Sequence, residues 1–335
     1  MEKFDIPVVL FFFRRKDKIT QIVDRISQVK PAKIYLISDG PRNEKEKIEV
    51  IECRKAVEEH ITWDCEIIKN YSEFNKGVYD RIGLGAKWVF EKEDKAIFLE
   101  DDNLPERSFF RYCKELLDLY EKDQRILWIC GTNYLENYNT VDNSSYVFTK
   151  HLLPCGWASW SDKFINYYDG ELKLIESENI IEKLRNQYTS KALFKQQLYS
   201  IKRTRYLLLN KQNQASWDHQ MSFSVRINSQ YGISPKVNQI KNIGVDVFSE
   251  HGGSSFDNIM TQRFCGMDSI SLEFPLKHPE TVASDPLYEK RIGKIILYPV
   301  RTRIMKSIAK YIKILLRIPE FESLAEWLIE KGLRK

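Results

Sequence analysis

The sequence predicts an α/β protein in which a mostly parallel sheet is covered by helices. Over the first 130 residues, short apolar runs alternate with segments of helical period. Polar groups recur at the carboxyl ends of those runs, where open α/β sheets bind ligands. The 335 residues, 43% of them apolar and 13% aromatic, are enough to bury a large core.

Val8 to Phe13 has the length and composition of a buried strand. Ile19, Ile22, Val23, Ile26 and Val29 then recur at three- and four-residue spacing, the period of an amphipathic helix. Ile34 to Ser38 reads as a second strand, closed by Asp39-Gly40-Pro41; a helix over Glu44 to Glu59 leads to a third strand at Cys65 to Lys69. Gly77 to Phe90 reads as a helix with Val78, Ile82, Ala86, Val89 and Phe90 inward, and Ala96 to Leu99 as a fourth strand running into Glu100-Asp101-Asp102. Pro105 fits the first turn of the next helix, whose Phe109, Tyr112, Leu116 and Leu119 continue the apolar stripe. A strand follows at Ile126 to Cys130. Trp157, Trp160, Tyr167 and Tyr168 then crowd what reads as a loop, suggesting a binding wall. Helices run to about Leu209, and another starts near Trp217. The domain organisation expected is a catalytic unit over residues 1–255 and a helical extension over 256–335.

Six cysteines without a CxxC pair indicate neither a zinc site nor a disulfide framework, so a reducing cytoplasm is the expected setting. No stretch reaches the roughly 20 apolar residues of a membrane-spanning helix. A net charge of +5 is too small to argue for nucleic acid, and it is unevenly placed: from Arg291 onward eleven Lys/Arg face four Glu, a net of +7, which leaves −2 for the rest. In that tail Lys294, Arg301, Arg303, Lys306, Lys310, Lys313 and Arg317 interleave with Ile295, Ile296, Ile304, Ile308, Ile312 and Leu315. The pattern suits a helix lying on the inner, anionic face of a membrane, or a basic helix packed on the protein or on a second subunit.

Three consecutive carboxylates at a strand end repel one another unless something offsets their charge, and a divalent cation with oxygen ligands does so. The competing reading is that Asp102 or Asn103 caps the next helix. Asp39 could accept a hydrogen bond from a nucleobase imide or make an Asp-Gly turn. Arg14 could contact base or phosphate, or form a surface ion pair. Asn75-Lys76-Gly77 precedes a helix, so Asn75 and the Gly77 backbone could meet ligand oxygens, though such turns are common helix entries.

The ISDGPR run at Ile37 to Arg42, the NKG turn, FLEDDNLPERSFFRY at Phe98 to Tyr112, GWASW at Gly156 to Trp160, WDHQ at Trp217 to Gln220, and PKVNQIKNIGVD followed by His251 occur in that order. Together they resemble bacterial GT-A glycosyltransferases related to the mannosyl-glycoprotein N-acetylglucosaminyltransferases, over roughly residues 5 to 255. The resemblance implies a Rossmann-like GT-A fold and a DxD-type metal motif in which Asp102 ligates Mn²⁺ or Mg²⁺, with Glu100 and Asp101 shaping the site. It further implies that Asp39 and Arg14 hold the nucleobase end of the donor. Asp218 would be the general base, His251 would approach the metal or diphosphate, and Trp157, Trp160 and Trp217 would wall the sugar or acceptor pocket. The family's asparagine before the strand-one arginine is replaced by Phe13, and Arg15 follows Arg14, so either arginine is a candidate for the nucleotide.

The function expected is inverting transfer of a sugar from a nucleotide-sugar, a UDP-sugar, to a carbohydrate or lipid-linked glycan in surface polysaccharide synthesis. A sugar nucleotidyltransferase is the rival enzyme; it should show a Gly-rich phosphate loop after strand one, and Phe13-Arg14-Arg15-Lys16 contains no glycine. A catalytically silent sugar-binding protein of the same fold is the non-enzymatic alternative.

Overall fold

A computed structural model describes residues 3–246 and 255–332. The strands are β1 (Val8–Phe12), β2 (Lys33–Ser38), β3 (Glu66–Tyr71), β4 (Lys95–Glu100), β5 (Asn103–Pro105), β6 (Ile126–Cys130), β7 (Tyr146–Thr149), β8 (Trp157–Trp160), β9 (Tyr231–Pro235) and β10 (Ile240–Asn242). The helices are α1 (Lys16–Ser27), α2 (Glu44–His60), α3 (Leu84–Phe90), α4 (Arg107–Leu119), α5 (Ser161–Tyr167), α6 (Glu178–Asn186), α7 (Lys191–Leu209), α8 (Asp218–Ile227), α9 (Ile259–Cys265), α10 (Pro286–Ile296), α11 (Val300–Leu315) and α12 (Leu324–Glu330). Eight strands form one mixed sheet in the order β3-β2-β1-β4-β8-β6-β9-β7, and β5 pairs with β10 in a separate ribbon.

The mostly parallel α/β architecture is therefore present. β1 is buried along its whole length, as a parallel strand covered on both faces must be. α1 turns Ile19, Ile22, Val23 and Ile26 into the core on one face of the sheet, joined there by Phe109, Tyr112 and Leu116 of α4. Val9, Phe11 and Phe98 point to the opposite face, against Ala86, Val89 and Phe90 of α3. A third apolar cluster, with Leu184, Ile201, Phe223 and Ile227, holds α6, α7 and α8 together.

The structure departs from the sequence expectations at several elements. The helix expected from Gly77 opens with a π-helical turn at Tyr79–Gly83 before α3. Pro105 closes β5, and α4 begins at Arg107. The Trp-rich segment is no loop: it is β8, antiparallel to both β4 and β6 in the middle of the sheet. Because side chains alternate along a strand, Trp157 and Trp160 face opposite cores. Beyond residue 255, Leu272 and Leu276 enter the first core and Tyr288 and Ile292 the second, so α10 packs with the main body. What stands apart is α11, which among the described residues has no buried side chain.

A buried polar cluster joins α8 to α10. His151 accepts a hydrogen bond at Nδ1 from Arg226 (3.2 Å) and donates from Nε2 to the Glu289 carbonyl (3.0 Å). Burial, with Arg226 adding to it, pushes the imidazole down to about 4 from an ordinary value of 6.5. The folded protein thus holds His151 neutral, while the unfolded chain takes up a proton below pH 6.5. Stability should be complete above that pH and fall on the order of 3 kcal/mol as pH drops towards 4, where the loss saturates. Urea titrations across this range should show the loss, and it should be absent from His151→Gln.

Candidate functional site

The chain runs outward from β1 through β2 to β3, then returns to place β4 on the other side of β1. At such a reversal the connections leaving the two central strands diverge, opening a crevice at their carboxyl ends. The residues ending β1 and β4 are Phe13-Arg14-Arg15 and Glu100-Asp101-Asp102.

The two arginines part here. Arg14 turns to α2, pairing with Glu46 at 3.2 Å and Glu49 at 3.0 Å. Arg15 enters the acidic cluster, with Nη1 3.2 Å from Asp101 and 3.3 Å from Asp102, and Asp246 3.9 Å from Nη2. Lys18, one turn into α1, also pairs with Asp246. The charge facing the triplet therefore comes from Arg15. Even so, carboxylates dominate. Burial, reinforced by Asp102, Asp101 and Asp218, raises the Glu100 carboxyl well above the usual range. Burial likewise raises Asp101 to about 6, although Arg15 and the Phe13 N–H (3.2 Å) favour its charged form.

Asn103 fixes the loop that carries these acids. Its amide donates to Asp102 Oδ1 at 2.5 Å, and its carbonyl accepts from the backbone N–H groups of Gly156 (2.8 Å) and Glu100 (3.4 Å). α4 has Glu106 at its N-cap without a side-chain cap bond, so neither Asp102 nor Asn103 caps that helix. From β10 the backbone N–H of Ile243 donates to the Asp102 carbonyl (2.9 Å). Gly244 follows; a Cβ there would lie 2.3 Å from Asp102 Oδ2, so only glycine lets this segment approach the carboxylate.

Asp218 is the first residue of α8 and comes near enough for its charge to bear on Glu100 and on Tyr134. The Ser216 hydroxyl and the His219 N–H (3.0 Å) donate to its Oδ1. Its position is set by an aromatic stack. Phe98 on β4 lies 3.8 Å from Trp157, which stacks at 5.6 Å on Trp217, the residue before Asp218. Trp128 lies 4.1 Å from Trp157 within the same stack. Trp157, Trp160 and Trp217 are 1%, 1% and 4% exposed, and Trp160 donates to the Leu117 carbonyl. The three rings expected to wall a pocket are buried in the core, and Trp157 and Trp217 join the acidic strand to α8.

Asp39 is also used differently from the expectation. Its carboxylate accepts from the N–H groups of Gly40 (2.8 Å), Lys76 (2.9 Å) and Gly77 (3.0 Å) and from Asn75 Nδ2 (3.0 Å). Four donors fill the acceptor capacity of one carboxylate. Asp39, Asn75 and Gly77 therefore clamp the β2 end to the turn that precedes the π-helical entry of α3, and Gly77 makes that turn with φ of +84°. His251 lies outside the described residues.

Among the described residues no group of three or more His, Cys, Asp or Glu converges to share a metal ion. The donors at the crevice are nonetheless carboxylate oxygens, the chemistry Mg²⁺ and Mn²⁺ take, and Mg²⁺ characteristically uses one or two carboxylates with substrate phosphates in place of a full protein cage. Asp102 fits one such position; Arg15 and Asn103 now hold its two oxygens. A cavity of about 530 Å³ lies beside β10, lined in part by Asn242, Ile243, Val245, Phe256 and Cys265.

Asn103, read from the sequence only as a possible helix cap, instead braces the acidic loop, and Gly244, Asp246, Lys18 and Tyr134 carried no expectation. Gly244 and Asp246 lie inside the quoted run PKVNQIKNIGVD, which was their available signal; Lys18 and Tyr134 had none.

No family model and no curated protein matches this chain. Among solved structures it is similar to a UDP-glucose pyrophosphorylase complexed with UDP-glucose, at 11% identity over 71% of this chain and 91% of that one, with a TM-score of 0.33. It is also similar to a 4-diphosphocytidyl-2C-methyl-D-erythritol synthase from Anaerococcus prevotii, at 12% over 52% and 78%, with a TM-score of 0.32. A third similarity is to a glucosyl-3-phosphoglycerate synthase from Mycobacterium tuberculosis in complex with Mn²⁺, UDP and phosphoglyceric acid, at 12% over 47% and 56%, with a TM-score of 0.28. Similarity at this level assigns no family, and the functional argument rests on the crevice.

The Asp39 clamp makes a separable prediction. Asp39→Ala leaves buried N–H groups without acceptors and should cost about 3 kcal/mol in urea unfolding. A variant that lost nucleotide affinity at unchanged stability would instead make Asp39 a ligand contact.

Proposed function

We propose that this chain is a metal-dependent, inverting glycosyltransferase that moves a sugar from a UDP-sugar to a hydroxyl of a carbohydrate or lipid-linked glycan in surface polysaccharide synthesis. The observation that supports it best is the meeting of Arg15 and Glu100-Asp101-Asp102 at the β1–β4 reversal with Asp218, which approaches the same carboxylates from α8. One end of that arrangement suits a nucleoside diphosphate and its cation, and the other suits a hydroxyl that must lose a proton.

In this reading Asp102 offers a carboxylate oxygen to Mn²⁺ or Mg²⁺, and His251 is the second candidate ligand. The bound cation would neutralise charge on the departing diphosphate. Arg15 holds Asp101 and the loop in place and balances part of the cluster's charge. Asp218 takes the proton from the acceptor hydroxyl as that oxygen attacks the anomeric carbon. A single base across from the leaving group suits direct displacement, which inverts the configuration. The cavity beside β10 adjoins the same loop through Ile243 and gives an acceptor a place to lie. The sugar nucleotidyltransferase reading is less well served, because the β1–α1 turn has arginines committed to acidic partners where a glycine cradle would stand.

Asp218→Asn is expected to lower sugar transfer by about 10²–10⁴-fold while leaving UDP affinity intact, measured by UDP release across a panel of UDP-sugars and by UDP titration. Full transfer by this variant would remove Asp218 as the base, and loss of UDP affinity would move it to the donor side.

A further inference from the structure

The tail helix α11 presents its apolar side away from the protein. Val300, Ile304, Ile308, Tyr311 and Leu315 follow one another at three- and four-residue spacing, so they share one face. They are 61%, 55%, 54%, 73% and 86% exposed. The opposite side turns inward: Thr302, Ala309 and Lys313 are half-buried, and so is Arg303 at its edge. Lys313 donates to the Glu320 and Glu322 carbonyls, and Lys310 pairs with Glu320 at 3.0 Å. The segment carrying Glu320 and Phe321 rests on α7, where Phe321 packs on Tyr199 and Tyr206. The body thus holds α11 by its polar side, the reverse of an ordinary surface helix.

An exposed apolar stripe five residues long needs a cover, and the charge around it selects one. α11 contains no Asp or Glu; Arg301 is exposed on the flank of the stripe, and Lys306 and Lys310 are exposed on the side of Lys313, so the helix is uniformly cationic. Two copies joined through this face would bring together two helices of five cations each, Arg301, Arg303, Lys306, Lys310 and Lys313, with no acid on either. An anionic lipid surface instead accepts the apolar side chains at the headgroup boundary and attracts every cation. Long basic side chains reach the headgroups while their stems lie along the apolar face. No helix among the described residues is long and apolar enough to cross a membrane, so the contact is in the plane of the surface.

We propose that α11 is an interfacial membrane anchor, seating the apolar face formed by Val300, Ile304, Ile308, Tyr311 and Leu315 in an anionic bilayer. The proposal is independent of the sugar-transfer reading, since it uses none of the crevice residues.

The test is flotation of the full chain with vesicles of phosphatidylcholine alone and of phosphatidylcholine with phosphatidylglycerol, at low and high salt, with sedimentation velocity in parallel. Binding to the anionic vesicles should exceed binding to neutral ones by about tenfold or more and weaken with salt. It should be lost in Ile308→Asp/Leu315→Asp and reduced at least about tenfold in Arg301→Glu/Lys306→Glu. Neither pair of positions is buried, so thermal unfolding of both variants should match the parent. Equal binding to neutral vesicles, no binding to anionic ones, or binding indifferent to either variant would overturn the proposal. So would a dimer that Ile308→Asp/Leu315→Asp dissociates, which would assign the face to a second copy.

Discussion

Three consecutive carboxylates at the end of a strand whose body is fully buried are tolerable only with a counter-charge supplied from next door, and Arg15 supplies it. β1 and β4 are hydrogen-bonded neighbours, so the residues just beyond their ends meet without long loops. Asp101 closes on the Phe13 N–H and on Arg15, Asp102 on Arg15 and Asn103, and Asn103 on the Gly156 N–H of the segment entering β8. The crevice is thus built from strand termini, and its electrostatics follow from the strand order. Burial, with Asp102, Asp101 and Asp218 adding to it, still raises the Glu100 carboxyl, and burial raises Asp101 despite Arg15. A divalent cation bound at Asp102 would favour the charged forms of these neighbouring acids.

The scaffold transmits position as well as charge. The stack from Phe98 through Trp157 to Trp217 runs from two residues before Glu100 to one residue before Asp218. Large rings with few rotatable bonds fix that separation more firmly than aliphatic packing would. Asp39 does a similar task on the other side of β1, tying the β2 end to the turn at Gly77.

Much of the sheet was legible because buried parallel strands are continuous apolar runs and their covering helices keep a 3.6-residue period. The acidic triplet was legible for the same reason, since charge at the end of such a run stands out. Side-chain direction was not. Arg14 and Arg15 are adjacent, and only the placement of α2 and β4 decides that one meets Glu46 and the other Asp101. Trp157 and Trp160 read as a loop because an antiparallel strand of four residues, inserted between β4 and β6, has too short a pattern to declare itself. Asp39 read as a ligand contact because its three backbone donors come from residues whose N–H groups leave no mark in the sequence. In the tail the amphipathic pattern was plain, but which side faces the protein depended on the return segment at Glu320 and Phe321.

In the proposed reading the β1–β4 crevice binds a uridine diphosphate group through a divalent cation held at Asp102. Calorimetric titration of the intact protein with UDP, in Mn²⁺ and again in chelator, tests it most directly. Saturable binding in Mn²⁺ that disappears in chelator is the expected result. Absence of UDP binding in Mn²⁺, or equal binding with and without the metal, would contradict it.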